Sequence, residues 1–271
     1  MAEVEVETQF GDGLEMLLAS GEPFDKLQKL LKSKKIKADE ATAQQVGQAR
    51  IAAGKDNSVS RYGSWVAEDF IYAQNGKIYI TSKEYSPILK HAEDATKAHR
   101  SGNEYFVPKK ELDEIIKAAE EDLSKPAAER RVYVLEQTES YEIPVSKFAE
   151  DGLAQFLFKG DAQKYAEFLK DAGIKNVPVY LAGKEYQKQQ KKPFARALWL
   201  RILSGRSGLD GDCWDLGCSN RLRGVRKASE ASAAQKISEY ETITQKYGIE
   251  SPEQLQGVLE RYSKIQSLVK E

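Results

Sequence analysis

The chain has little of what catalysis and metal binding need. Its 271 residues include two cysteines and two histidines. Cys213 and Cys218 make no disulfide framework, and a zinc site would need two further ligands, while His91 and His99 lie far off in sequence. Gly205-Arg206-Ser207-Gly208 has neither the Lys nor the following helix that cradles a phosphate. Ser60, Ser64 and Ser207 have no motif that would make them nucleophiles, His99 reads as a helix-end residue, and Glu120-Glu121 as a solvated helix face. No catalytic residue, metal or cofactor is expected, and no enzyme activity. Nor is there an apolar run near the ~20 residues that span a bilayer. Basic and acidic residues balance at 41 against 42, which leaves no net field to recruit nucleic acid or a cationic partner. The opening MAEVEVETQF lacks the basic and apolar regions of a signal peptide, so a cytoplasmic or virion-associated protein is expected.

A sharper absence is local. From Ala195 to Val225 the chain reads ARALWLRILSGRSGLDGDCWDLGCSNRLRGV, without a single Lys, Glu or Gln, types common everywhere else. Both cysteines and five of the twelve arginines fall here. The segment fits a loop-rich functional edge, since Gly, Ser, Asn and Asp are the residues that turns select. It also fits a codon rule. An AAC asparagine codon whose two adenines are free to change reaches Gly, Ser, Asp, Cys, Arg, Leu, Ile and Asn, and never Lys, Glu, Gln or Met; Trp is reached in the same way from AAG.

In this segment the chain resembles the variable proteins of diversity-generating retroelements, in which a reverse transcriptase rewrites adenine-templated codons. The resemblance lies in Leu198-Trp199-Leu200, Leu203, Arg206-Ser207, Gly211, Leu216 and Arg221-Leu222-Arg223-Gly224-Val225, which match a fixed frame, and it covers residues 143–226. It implies that Arg201, Ile202, Ser204, Gly205, Gly208, Asp210, Asp212, Cys213, Trp214, Asp215, Gly217, Cys218, Ser219 and Asn220 are diversified, ligand-binding positions. It also implies a C-type-lectin-like fold. In the family the variable region usually ends the chain, whereas here residues 227–271 follow it.

Periodicity gives an α+β chain. Phe24 to Leu31 has a helical apolar face, and Asp39 precedes a helix from Glu40 to Ala53 that Gly54 ends. Phe70 to Ala73 and Lys77 to Thr81 flank an Asn-Gly turn as a hairpin. Ser86-Pro87 starts a helix to about Arg100, and Pro108 opens another. Strands are expected at Val132–Leu135, Tyr141–Val145 and Asn176–Leu181, and helices at Val145–Phe158 and Asp161–Ala172. Two further helices, Ser229–Tyr247 and Ser251–Val269, form a hairpin that packs on the N-terminal helices or mediates self-association. The division expected is a helix-rich region with a β-hairpin over 1–128, a C-type-lectin-like domain over 129–227 with variable region 196–225, and the helical hairpin over 228–271.

The function expected is a diversified, non-catalytic receptor for an unknown protein or surface ligand, with homo-oligomerisation open. Leu203, Leu209, Leu216, Leu222 and Val225 are expected in the core, Arg206 and Arg223 as structural groups, and Trp214 and Arg201 as binding anchors. The alternative is a nucleic-acid-associated or regulatory module using the arginines of 196–226 and the lysine-rich stretches 26–37 and 188–192.

Overall fold

The computed structural model describes residues 2–203, 207–213, 215–218 and 220–228. The expected C-terminal hairpin, together with Ser204, Gly205, Arg206, Trp214 and Ser219, lies outside these residues. Met1–Arg226 forms one compact unit, and the chain from Lys227 clusters as another. The boundary expected at residues 128/129 falls inside the first unit, because strands from both sides of it share one sheet.

The chain opens with an antiparallel hairpin, β1 (Glu3–Phe10) and β2 (Leu14–Glu22), that the sequence reading missed. Gly11 and Gly13 turn it with φ of 53° and 74°, a backbone region open to glycine without a Cβ clash. Helix α1 (Phe24–Leu31) follows and buries Phe24, Leu27 and Leu31 as expected. Asp39 is not the start of a helix: Asp39–Glu40 form strand β3, and Thr42 caps helix α2 (Ala43–Ala53) in a capping box with Gln45. This satisfies two otherwise unpaired helix-end donors. A single helical turn, α3 (Ser58–Arg61), leads into β4 (Ser64–Tyr72), buried along its whole length, and β5 (Ile78–Thr81) pairs with it as the expected hairpin.

The helix expected from Ser86 to Arg100 is two, α4 (Pro87–Lys90) and α5 (Ala92–Arg100). His91 breaks it at φ −125°, ψ 41°, where its Nε2 lies 2.5 Å from Glu111. Strand β6 (Tyr105–Phe106), helix α6 (Lys109–Glu121), β7 (Val132–Leu135) and β8 (Tyr141–Pro144) come next. A 3-10 segment at Val145–Glu150 precedes α7 (Gly152–Phe158), so the helix expected over 145–158 is also split. Asp151 accounts for the break by capping α7 through Ala154 N. Helix α8 (Ala162–Asp171), β9 (Asn176–Tyr180), α9 (Lys184–Gln189), β10 (Phe194–Leu200), β11 (Leu209–Asp210) and β12 (Asn220–Lys227) complete the order.

All twelve strands join one sheet, whose main path runs β1-β2-β12-β4-β10-β11-β9-β8. Helices cover both faces. One core gathers even-numbered β4 residues, Val66, Phe70 and Tyr72, with Val46, Phe156, Phe158 and Leu169 of α2, α7 and α8. The other gathers Trp65 and Ile71 with Phe24, Ala95 and Ile115 of α1, α5 and α6, as the alternation of a strand buried on both faces requires. The segment 195–225 supplies most of β10 and β12, which pair with β4 alongside β5, so the segment with the least ordinary composition lies at the centre of the sheet.

The centre of β4 also buries two adjacent carboxylates. Burial pushes Glu68 up to about 8 and Asp69 up to about 7, although Ala43 N donates to Glu68 and Ser86 Oγ and Ile88 N donate to Asp69. The folded chain keeps protons that the unfolded chain releases near its ordinary carboxylate values. Stability from these groups is therefore full below pH ~4 and falls as pH rises towards 7 and 8. In unfolding titrations the wild type should lose stability against Glu68→Gln between pH 5 and 8, by at most about 1.4 kcal/mol per pH unit. A difference independent of pH would show that Glu68 is ionised in the fold.

Candidate ligand-binding surface

The frame leucines do what the sequence reading expects. Leu198, Leu200, Leu203, Leu209, Leu216 and Leu222 are at most 5% exposed, and Val225 is 9% exposed. Trp199 is part-buried beside Trp65, edge to face at 4.9 Å. Gly211 is held by a close approach: a Cβ there would come within 2.6 Å of the Phe70 ring. Arg223 is wholly buried. Its Nε and Nη2 grip Glu7 at 2.7 and 3.1 Å, Nη1 donates to Ser64 Oγ at 2.8 Å, and Nη2 also reaches the carbonyls of Ser58 and Tyr62. A charge taken out of water needs such a full set of partners. Arg223 thus ties β12 to β1, β4 and α3 and reads no ligand. Arg221, two residues earlier in the same strand, is exposed instead, with its guanidinium 4.7 Å from the centre of the Tyr62 ring.

The candidate positions are held through their main chain by side chains and backbone from elsewhere. Arg50 Nη2 donates to the Arg201 carbonyl at 2.9 Å, and Leu203 N donates to Ser60 O. The Tyr72 hydroxyl donates to Gly211 O, and Gly211 N donates to Tyr180 O, both at 2.9 Å. Arg196 Nη1 donates to Asp212 O at 2.7 Å. Phe24 N donates to Leu216 O, Leu216 N to His99 Nδ1, and Arg100 Nε to Gly217 O. None of these bonds depends on which side chain the held residue carries. They form a brace that tolerates substitution at Arg201 and Asp212 as far as hydrogen bonding is concerned, whereas a Cβ at Gly217 would lie 2.6 Å from Arg100 Cγ, so a side chain there displaces its own support.

The brace rests on buried groups that sequence inspection did not single out. Arg50 is 1% exposed and also donates to Val59 O and the Tyr165 hydroxyl. Arg196 and Glu104, each with a side chain 4% exposed, pair at 2.5 Å, and Tyr186 donates to the same carboxylate. Burial lowers His99 to about 4, so its ring is neutral and free to accept from Leu216 N. Nothing in local sequence pairs Arg50 with residue 201.

The candidate residues themselves divide. Asp212 and Cys218 are exposed, and Arg201, Ile202, Cys213, Asp215, Gly217 and Asn220 are partly exposed. Gly208 and Asp210 are buried, against expectation for ligand contacts. A Cβ at Gly208 would lie 3.0 Å from the Pro178 carbonyl, so the neighbouring strand leaves it little room. Asp210 shapes the loop: Oδ1 accepts from Asp212 N and Cys213 N, and Oδ2 accepts from Arg201 Nε and Nη2 at 3.0 and 2.6 Å. Arg201, expected as an anchor, is occupied by that pair and lies 4.3 Å from the Tyr180 ring centre. Asp215 and Asn220 close the next turn, through Cys218 N to Asp215 Oδ1 and Asn220 Nδ2 to the Asp215 and Cys218 carbonyls.

Reactivity is suppressed rather than tuned. Burial lifts the Cys213 thiol to about 11, and a hydrogen bond to Asp215 raises that of Cys218, so both shifts disfavour the nucleophilic thiolate at neutral pH. Among the described residues no group of three or more His, Cys, Asp and Glu is placed to hold a metal, and no helix is long and apolar enough to cross a membrane.

The brace makes opposite predictions for neighbouring side chains. Arg223→Ala leaves Glu7 buried and unpaired and should cost about 3–5 kcal/mol of stability. Asp212→Ala removes an exposed carboxylate paired with Arg196 but keeps the carbonyl that Arg196 holds, and should cost less than about 1 kcal/mol. Denaturant melts of the two variants check this. An Arg223→Ala protein that melts with the wild type would remove its structural role.

No protein-family model matches the chain, and no curated protein matches it in sequence. A solved structure that describes the accommodation of massive sequence variation in Nanoarchaeota by the C-type lectin fold aligns with 83% of this chain and 96% of its own. The TM-score is 0.55 and the identity 17%. The chain has a C-type-lectin-like fold, with helices on both faces of the sheet.

Proposed function

We propose that this chain is a non-catalytic ligand-binding protein whose surface around residues 201–220 is diversified by a retroelement. The observation that carries the reading is the division of labour within the segment. Lys, Glu, Gln and Met, which an AAC codon cannot reach, are absent from it, and much of the backbone of 201–217 is held by groups outside those residues. Such a segment can change side chains without losing its fold. The fold it shares with a protein described as accommodating massive sequence variation supports the same reading.

The partner proposed is a macromolecule. Arg201, Ile202, Asp212, Cys213, Asp215, Cys218 and Asn220 present a surface on which every member is at least partly open to solvent. Protein interfaces suit such a surface, with a few anchors carrying most of the energy. Trp214, Ser204, Gly205 and Ser219 belong to the proposed variable set by sequence alone. Gly208 and Asp210 stay in it as positions where change is filtered by folding, since one is crowded and the other shapes the loop.

Sequencing the gene across its source population tests the proposal. Variation should concentrate at adenine-bearing codons of the exposed and part-exposed positions and spare Leu203, Gly211, Leu216, Leu222, Arg223 and Gly224. Variation spread evenly over the gene, or none in 196–225, would contradict diversification. Binding would then need support of its own.

A further inference from the structure

Most arginines whose side chains the structure describes have partners. Arg131, Arg196, Arg201, Arg223 and Arg226 each pair with a carboxylate, and Arg50 and Arg130 are taken up by carbonyls. Arg61, Arg100 and Arg221 have no carboxylate partner among the described residues, and all three are exposed. Two of them, Arg100 and Arg221, flank the turn 215–220. Arg100 touches it at Gly217 O, and Arg221 leaves it as the second residue of β12 and spreads over Tyr62. Tyr62, next to Arg61, is 42% exposed, among the few large apolar side chains left in solvent.

Arg221 is the anomaly. It belongs to the frame segment Arg221 to Val225, yet Leu222, Arg223, Gly224 and Val225 are buried and Arg221 is not. Among the described residues its side chain makes no hydrogen bond or ion pair and only rests on the Tyr62 ring. The backbone on both sides of this contact is held: buried Leu222 and Arg223 anchor the strand directly after Arg221, and Arg223 Nη2 holds the Tyr62 carbonyl at 3.1 Å. Leu203 N holds Ser60 O in the same turn at 3.1 Å. An aromatic ring and a guanidinium are thus presented together, on held backbone, beside the proposed variable positions.

We propose that Arg221, with Tyr62, is a constant anchor for a carboxylate on a protein ligand. The proposal rests on the binding reading above and adds the ligand's chemistry to it. A guanidinium fork fits a carboxylate bidentately, and the Tyr62 ring offers apolar area beside it. Single carboxylates of a protein suit the site better than a polyphosphate chain. Part-exposed Asp215, in the turn that leads into Arg221, adds a negative charge that weighs more against a run of phosphates than against one carboxylate.

Selection of a random-peptide phage library on the full chain, at about 0.15 M salt to screen weak charge attraction, provides the test. Enriched peptides should carry Asp or Glu. Their Kd should weaken at least about tenfold with Arg221→Ala, about 1.4 kcal/mol, while the melting temperature stays that of the wild type. Arg221→Lys should recover part of the loss, since an ammonium keeps the charge without the fork. Absence of acidic enrichment, or of any enriched peptide, overturns the proposal, as does an Arg221→Ala protein that binds equally well. Tighter binding of single-stranded DNA with a steep salt dependence overturns it too. Peptides lost on substitution of Ile202 or Asp212 but indifferent to Arg221 would sink the anchor and leave the binding reading standing. Peptides indifferent to both would sink that reading.

Discussion

The structure depends on hydrogen bonds to the main chain of residues 201–217 from groups that lie outside them. An irregular segment at the centre of a sheet would ordinarily be a liability, because each buried N–H and C=O left without a partner costs free energy. Here Arg50, Tyr72, Arg196, His99 and Arg100 supply side-chain partners, and Phe24, Ser60 and Tyr180 supply backbone ones. The supporting groups come from α1, α2, α5, the chain before and within β4, β9 and β10. They draw what the sequence suggested was a separate N-terminal region into one compact unit with the lectin-like part.

Buried polar groups make this possible and set its limits. Arg223 with Glu7, and Arg196 with Glu104, remove charge from water only because their partners are also buried and positioned. Between these fixed points the segment carries leucines inward and polar side chains outward. Asp210 departs from that division. It is buried, and its two oxygens collect four donors, so the loop keeps one side chain as part of its own architecture.

Much of this was legible in the sequence, for physical reasons that differ by element. Helix α1 and the β4–β5 hairpin follow from apolar spacing and an Asn-Gly turn, signals contained within a few residues. The frame leucines could be placed inward because their neighbours are Gly, Ser, Asp and Arg. The β1–β2 hairpin was also signalled, by Val-Glu alternation and Gly11-Asp12-Gly13, yet the reading started its α-rich pattern after it. Thr42-x-x-Gln45 was a legible capping box, overlooked in favour of Asp39. The brace itself was not legible. Arg50 and Arg201 are 151 residues apart, and a donor aimed at a carbonyl leaves no mark in the acceptor's identity. For the same reason Arg221 and Arg223, alike in sequence and two residues apart, could not be told apart until the fold buried one and exposed the other.

The most direct test is to randomise Arg201, Ile202, Asp212, Cys213, Asp215, Cys218 and Asn220 together and score the folded fraction by protease resistance. A matched library should randomise Arg50, Tyr72, Leu203, Leu216, Leu222 and Arg223. If the segment is held through its main chain, a large share of the first library folds, with losses concentrated where Asp215 and Asn220 change together, and almost none of the second does. Equal losses in the two libraries would show that the outward side chains hold the fold, and would contradict the account of this segment as a substitutable surface on a fixed brace.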